Sequence, residues 1–502
     1  MQQEPVTVFM HGEVAARIAP DGKGGGSLRY DGTYRSNRDA VPLSLSLPMN
    51  VQDHSPEATA SWIGGLLPDN PRVLERWYAN EGVSPPTPLG LLRTRVGRDC
   101  AGAARFVPEG DESEVLGRGG SLKGLSDSDV AKEMRSMAAD LSYWLPDAEE
   151  AYFSLGGYQA KTALHLLDDG TWARPSGNTP TTHILKPSPT TQPEMAAVEH
   201  VCLDIARRLG LDAADSTLET YGGVKVCVIS RYDRRRGGDG WERVHQEDAC
   251  QAMGLHPHLK YEAQGGPGIA QMGDLIRRSS ARPREDIKSF RDTLLYYWLI
   301  VNRDAHARNY SFLIEPSGVR LAPIYDPGSV LPGARKRIGS YELAMRFGRD
   351  FTVYRSHAKD SLSTLSAYLR AEHGDTLSRA EELAATIVDC AEKSIAALPA
   401  AHQTPPLEKM LLGLNKRSGE CQKTVRAARS IISAANRNRR NKTGQAEHPP
   451  TASGSQVAPG DDAQSPTQSG RLEKAQCGHK STRTGKRCIM GAGHTSPHRY
   501  KR

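Results

Sequence analysis

The most apolar run of the chain, TLLYYWLIV (Thr293–Val301), passes directly into a short polar loop, VNRDAHARNYSF (Val301–Phe312). Such a run has to be buried, so the loop begins at a core. Within it Asp304 and Asn309 stand at the spacing D-x-x-x-x-N. Phosphotransfer uses that pair: the carboxylate orients the acceptor hydroxyl and takes its proton, and the Asn helps hold Mg²⁺. Asp and Asn are also ordinary loop residues, so the pair means little without the other parts of such a site.

Each of those parts has a candidate. Seventeen residues after Asn309, in LAPIYDPGS, Asp326 ends an apolar strand and enters a Pro-Gly turn, the setting of a second Mg²⁺ carboxylate. Lys186 in THILKPS closes a β-rich run as the lysine for the phosphates, and Pro187 is expected to stop strand pairing there. A lysine on a buried strand needs a counter-charge. The next segment, PEMAAVEHVCLDIARRLGL, reads as a helix with Val198, Val201, Cys202, Ile205 and Leu209 on its packed side and Gly210 as its stop. Glu199 borders that stripe and can face Lys186; Glu194, or neither acid, is the alternative. SLGGYQAKT (Ser154–Thr162) is the candidate phosphate loop, where Gly156 and Gly157 let backbone N–H groups approach oxygens, although it is no Walker A. VCVISRYDRR supplies a connector whose backbone near Ser230 and Tyr232 can reach an adenine. Loop, lysine, helix Glu, connector, DxxxxN and Asp follow in kinase order.

The chain is 502 residues long, 38% hydrophobic and 25% charged, enough for two or three domains. The expected fold is α+β and bilobal, like a protein kinase. Short antiparallel strands (VTVFMHG, VAARI, SLRYDGTY), with alternating apolar residues, and helices around ASWIGGLL and RVLERWYANEG form a small N-terminal α/β module over 1–110. The N-lobe, 111–235, includes a helix at DSDVAKEMRSMAADL with Val130, Met134, Met137 and Leu141 on one face. A C-lobe over 236–433 is mostly helical and ends in a helix near TVRAARSIISAANR. A basic, polar linker over 434–470 lacks the apolar surface to order itself. The net charge of +7 belongs to the tail: thirteen Lys/Arg against four Asp/Glu follow from Ala434, leaving the body near −2. The eight cysteines are scattered without a disulfide framework, and six read as buried or incidental thiols. The N-terminus, MQQEPVTVFMHG, lacks a basic signal-peptide start, and no run is long enough to span a bilayer, so a cytoplasmic location without membrane association is expected.

These segments resemble the HipA-type serine/threonine kinases, the toxin halves of bacterial toxin–antitoxin pairs. The resemblance rests on S-x-x-G-x-Q-x-K (Ser154–Lys161), IxKP (Ile184–Pro187), VxxRYDR (Val228–Arg234), HQEDACQAMG, KYEAQGGPG, DAHARNYSF (Asp304–Phe312) and PIYD (Pro323–Asp326), with LLPDNPR and GRDCAGA nearer the N-terminus. It covers residues 5 to 400. It implies ATP and Mg²⁺ as cofactors, with Asp304 as catalytic base, Asn309 and Asp326 on the metal, Lys186 on the phosphates and Ser230, Arg231 and Tyr232 near the adenine. Leu155, Lys161, His306, Arg308 and Tyr325 lie within the matching motifs and are assigned to the nucleotide site with them. Ser154 matches the family's autophosphorylation site, where modification ejects the loop; a phosphoserine there would repel the nucleotide. The implied partners are a HipB-like helix-turn-helix antitoxin, operator DNA through that antitoxin or the basic tail, and a protein substrate such as an aminoacyl-tRNA synthetase.

The chain departs from the family in about a hundred added C-terminal residues. Their last segment, 471–502, holds C-x10-C-x5-H-x3-H through Cys477, Cys488, His494 and His498. That set suits tetrahedral Zn²⁺. The first spacing is wider than in a C2H2 finger and His479 competes as a ligand, so a zinc knuckle and an unbound basic tail both stay open. Two other function classes compete with a protein kinase: a catalytically silent regulator that binds antitoxin or nucleic acid, and a small-molecule kinase. Retention of Asp304, Asn309, Asp326 and Lys186 together favours an active kinase.

Overall fold

Turn residues between short apolar runs make the first sheet. Val6–Met10, Glu13–Pro20 and Gly26–Tyr30 pair antiparallel in succession, Asp53–His54 extends one edge and Arg105–Pro108 closes the other. Val6–Met10 does not alternate as expected: all five residues are buried. Val6, Val8 and Met10 enter the main core, while Phe9 packs with Val107 and Val115 on the opposite face. The structure is a computed structural model that describes residues 4–444 apart from 23–24, 117–119, 145–152, 239, 349, 354 and 358–359. Residues Met1–Arg439 form one compact unit, and the elements that follow belong to it, apart from residues 440–444 at the end of the last helix.

A second, six-stranded antiparallel sheet carries the lysine. Its order is Ser216–Tyr221, Val224–Ser230, His183–Pro187, Thr162–Leu166, Trp172–Pro175, Leu122–Gly124. Pro187 does not stop the pairing. It stands opposite Val226, and the next N–H, of Ser188, donates to the Lys225 carbonyl at 2.8 Å. The missing proline donor is tolerated at the strand's last residue. Helix Met195–Arg208 covers this sheet with the predicted stripe buried, and Gly210 follows at φ +74°. Helix Asp127–Ala139 starts with a Ser126–Asp129 capping box and buries Val130, Met134 and Met137. Leu141 is not on that face: Asp140 turns extended, ends the helix, and leaves Leu141 39% exposed.

Residues 1–110, expected as a module of their own, share one continuous core with this sheet. Trp62, Trp77 and Phe106 join Met134, Leu164, Leu185 and Val228 in it. A second core forms around helix Met195–Arg208 and the helices Ile269–Ser279, Pro283–Ile300, Ser361–Leu369 and His373–Ala396. The C-lobe is mostly helical as expected, with short strands set between its helices. It contributes a hairpin, Arg234–Gly237 with Gly240–Arg243, a three-stranded sheet of His245–Asp248, Ser311–Glu315 and Gly318–Leu321, and the pair Glu342–Phe347 and Asp350–Thr352. Most of these strands have three to five residues, too short for a period-2 pattern to stand out. The last helix is Pro405–Gly444, so it begins well before TVRAARSIISAANR and runs through 434–444, which was expected to open the linker. Arg and Lys are good helix formers, and Leu414, Cys421, Val425 and Ala428 anchor the preceding turns. All six cysteines among the described residues are buried free thiols. No helix among them is long and apolar enough to cross a membrane.

Candidate active site

Helix Pro283–Ile300 buries its apolar end and stops at Val301, whose left-handed φ of 56° turns the chain sharply. Asn302 then caps the loop by accepting the Asp304 N–H at 3.0 Å. The loop is polar but not superficial: Ala305 to Asn309 are each at most 7% exposed. Arg303 and Asp304 emerge, the Asp304 side chain being 60% exposed. Withdrawal from water on its cleft side raises the Asp304 carboxyl above its ordinary value, with the Asp326 carboxylate adding to the effect and the Tyr261 hydroxyl opposing it. His306 is buried beside it, pushed down to about 3 by burial and by Lys260, so its imidazole is neutral.

The buried lysine has its counter-charges. Lys186 Nζ lies 2.5 Å from Glu199 Oε1 and 2.6 Å from Asp326 Oδ1. Burial alone would lower Lys186, but Asp326 and Glu199 outweigh it and keep the ammonium charged. Burial likewise works to raise Asp326, and Lys186 and Lys161 more than offset it, holding the carboxyl well below the usual range. Glu194 instead meets Lys225 at 2.9 Å. Asp326 itself has φ +54°, unusual for a residue that is not glycine, and such strain is held by its surroundings.

The glycine loop is clamped rather than free. Ser154 is fully buried; its hydroxyl donates to the Leu66 carbonyl at 2.7 Å and its N–H to Asp99 O at 2.9 Å. The Gly157 carbonyl accepts the Asp69 N–H at 2.8 Å, with φ +102° at Gly157. A Cβ on Gly156 would come 2.4 Å from Arg308 Nη2, so the close approach needs glycine. Leu155 is buried beside it. Lys161 reaches back to donate to the Gly156 carbonyl at 2.6 Å, and burial and Lys186 push it down to about 8.

Two of the expected nucleotide residues have their side chains committed elsewhere. The Arg308 guanidinium binds Asp248 at 2.8 Å, the Gly65 carbonyl at 2.5 Å and Asp69, tying the catalytic loop to the N-terminal residues. The Arg231 guanidinium pairs with Asp233 at 2.8 Å and Asp99 at 3.4 Å and points into a buried ion network. Ser230 holds His183 Nε2 at 3.1 Å. Tyr232 and Tyr325 face each other with ring centres 5.6 Å apart, and the Tyr325 hydroxyl donates to the Arg308 carbonyl at 2.6 Å. With Ile184 and Ile229 they line a cleft of about 130 Å³ that also receives Lys186, Asn309 and Asp326.

Several participants were missed in the sequence. The Tyr261 hydroxyl donates to Asp304 Oδ1. Lys260 pairs with Asp69 at 2.7 Å, and Gln246 accepts from Tyr232. All sit in segments noted above for their resemblance, but nothing local in KYEAQGGPG or LLPDNPR tells which atom each side chain meets.

The donor set fits Mg²⁺. Asn309 gives its amide N–H to the Asp304 carbonyl at 2.5 Å, which leaves its Oδ1 without that bond, and Asp326 lines the same cleft. One carboxylate and one amide, completed by phosphate oxygens, are the usual protein share of such a site. No cluster of three or more metal-binding side chains occurs among the described residues. Cys477, Cys488, His494 and His498 lie outside those residues.

Comparison with known proteins places this geometry. Residues 6–107 match the family model for the HipA N-terminal domain and residues 153–397 that for the HipA-like C-terminal domain. The Y4mE protein of Sinorhizobium fredii is 34% identical over 355 residues, covering 69% of this chain and 82% of that protein. The serine/threonine-protein kinase toxin HipA of Shewanella oneidensis is 30% identical over 329 residues, 61% of this chain and 72% of that protein. A solved HipA, HipB and operator DNA complex from Shewanella oneidensis contains a chain of the same fold, with a TM-score of 0.73 at 22% identity over 85% of this chain and 99% of that one.

Proposed function

The chain belongs to the HipA family, and from that premise we propose that it is an ATP- and Mg²⁺-dependent serine/threonine protein kinase, the toxin of a toxin–antitoxin pair. The observation that carries the reading is Lys186 held between Glu199 and Asp326, with Asn309 in the same cleft and Asp304 at its mouth. Lys186 neutralises and positions the phosphates. Asn309 and Asp326 would hold Mg²⁺, whose charge, when bound, disperses that of the transferring group. Asp304 orients the acceptor hydroxyl and takes its proton. Tyr232, Tyr325 and the two isoleucines give the base an apolar slot. A cleft of about 130 Å³ is small for a whole nucleotide, so binding requires Lys161 and the glycine loop to shift.

Ser154 is the proposed autophosphorylation site, and its burial against Leu66 means that the loop must leave its clamp before modification. The proposed partners are a HipB-like antitoxin with its operator DNA and, as substrate, a translation component such as an aminoacyl-tRNA synthetase, which implies action in the cytoplasm. The C-terminal Cys and His set is proposed as a Zn²⁺ ligand set, to be checked by elemental analysis for one zinc per chain. Phosphoproteomics after brief expression, compared with Asp304→Ala, tests the central reading. New phosphosites, including Ser154 phosphate, are expected only with the unaltered chain; the same sites in both would overturn the role of Asp304.

A further inference from the structure

A second cavity, of about 410 Å³, opens between the N-terminal sheet and the turn 175–179 and shares no lining residue with the catalytic cleft. Its walls carry Arg95, Arg98, Arg105 and Arg243, with Asp99 as the lining carboxylate. Asp99 is already spent. Its Oδ1 accepts from Arg234 at 2.9 Å and Arg243 at 3.0 Å, and its Oδ2 from Thr181 at 2.6 Å with Arg231 at 3.4 Å. Arg95 is bound to Glu81 at 2.7 Å.

Arg105 is the residue that cannot be explained from within. It is only 6% exposed, and its guanidinium donates to uncharged oxygens: Arg98 O at 3.3 Å, Asn178 Oδ1 at 2.5 Å and Gly177 O at 2.9 Å. Among the described residues no carboxylate lies within ion-pair distance of it. A buried charge without a partner is costly enough that native structures provide one. Burial, and after it the neighbouring Arg243, push Arg105 down to about 9 against the opposing but weaker pull of Asp99, which lies beyond ion-pair distance. Guanidinium forks match the oxygens of a phosphoryl group better than those of a monovalent ion such as chloride. The volume exceeds that of a bare phosphate and admits the ester group attached to one.

We propose that this cavity is a binding site for a small phosphate-bearing anion, which supplies the counter-charge that Arg105 does not find among the described residues. The ligand bridges the N-terminal sheet, through Arg105, and the lobe that carries Arg243, with Arg98, which is bound to the Thr94 and Phe106 carbonyls, on the cavity wall. It therefore stabilises their shared seam without touching the catalytic groups.

Arginine-directed labelling of the full chain with phenylglyoxal, read peptide by peptide with inorganic phosphate or with chloride at matched ionic strength, tests it directly. Phosphate should protect Arg98 and Arg243 several-fold while leaving Arg29, on the surface, unchanged; equal labelling in both salts overturns the proposal. The second arm is thermal unfolding. At about 100-fold excess over its Kd, phosphate should raise Tm by about 1–3 °C. Thr179→Glu places a carboxylate on the cavity wall, so it should raise Tm without phosphate and abolish the phosphate increment. An increment of the same size in Thr179→Glu would assign the anion to another site. Arg105→Met should also lose the increment, and if that variant fails to fold, the labelling result and Thr179→Glu still decide.

Discussion

Glu199→Gln isolates what the buried lysine needs. Lys186 and Glu199 have side chains 6% and 5% exposed, and the lysine sits between two carboxylates at 2.5 and 2.6 Å. Breaking a buried pair outright costs about 3–5 kcal/mol because one charge is orphaned. Here Asp326 remains as a partner and the glutamine oxygen still accepts, so the loss reduces to a charged hydrogen bond replaced by a neutral one, about 1–2 kcal/mol. Glu199→Ala removes the acceptor as well and should cost about 3 kcal/mol. In both variants Lys186 draws fully on Asp326, the carboxylate proposed for Mg²⁺. If the same 1–2 kcal/mol is missing from the transition state, kcat/KM falls about 5–30-fold. Urea unfolding and phosphoryl-transfer kinetics measure the two effects. Glu194→Gln is the control, since Glu194 meets Lys225 outside the cleft. A Glu199→Gln protein within about 0.5 kcal/mol of the unaltered chain and equally active would mean that Asp326 alone holds the lysine, refuting the argument.

Two further outcomes follow from the cleft. Lys161, lowered to about 8 from an ordinary 10.5, carries a burial penalty that is fully present below pH 8 and relieved as pH rises from about 8 to 10.5. With Lys161 in the nucleotide site as proposed, its cation favours the phosphates, so nucleotide affinity should fall above about pH 8, and Lys161→Met should flatten that limb of a Kd-against-pH titration. Tyr261→Phe frees Asp304 Oδ1 from a hydroxyl that an acceptor must displace. The acceptor KM should fall about tenfold with the nucleotide KM unchanged, and the acid limb of the rate profile should move up, because the tyrosine lowers the Asp304 carboxyl. An unchanged acceptor KM would show that Tyr261 does not compete with the acceptor.

The parts that could be read in the sequence were those with a local rule behind them. Glu199 was favoured over Glu194 by helical period, Gly210 was read from the stop it imposes, and Asp304, Asn309 and Asp326 from spacing and turn chemistry; Asn309 and Asp326 line one cleft, Glu199 joins it through Lys186 and Asp304 stands beside its His306, while Gly210 only ends its helix. What escaped has partners far along the chain. Asp69 meets Arg308 and Lys260, Tyr261 meets Asp304, and Asp99 meets three arginines more than a hundred residues away. No periodicity encodes such pairings. Arg308 and Arg231 do line the cleft, but that their guanidinium groups are held by buried carboxylates could not be read locally for the same reason. Pro187 misled because the rule against proline in sheets is weak at a strand's last position.

The core shared by residues 1–110 and the six-stranded sheet also sets a timetable for synthesis. Trp62, Trp77 and Phe106 leave the ribosome long before Leu185, Val226 and Val228, which help to cover them. At about 5–20 residues per second, the gap from residue 110 to 228 lasts roughly 6–24 s. During that interval the nascent N-terminal sheet presents aromatic surface to any holdase within reach. The catalytic loop, made later still, receives its Arg308 clamp only after this wait. The cleft is therefore completed late in translation, as a consequence of which residues finish the seam.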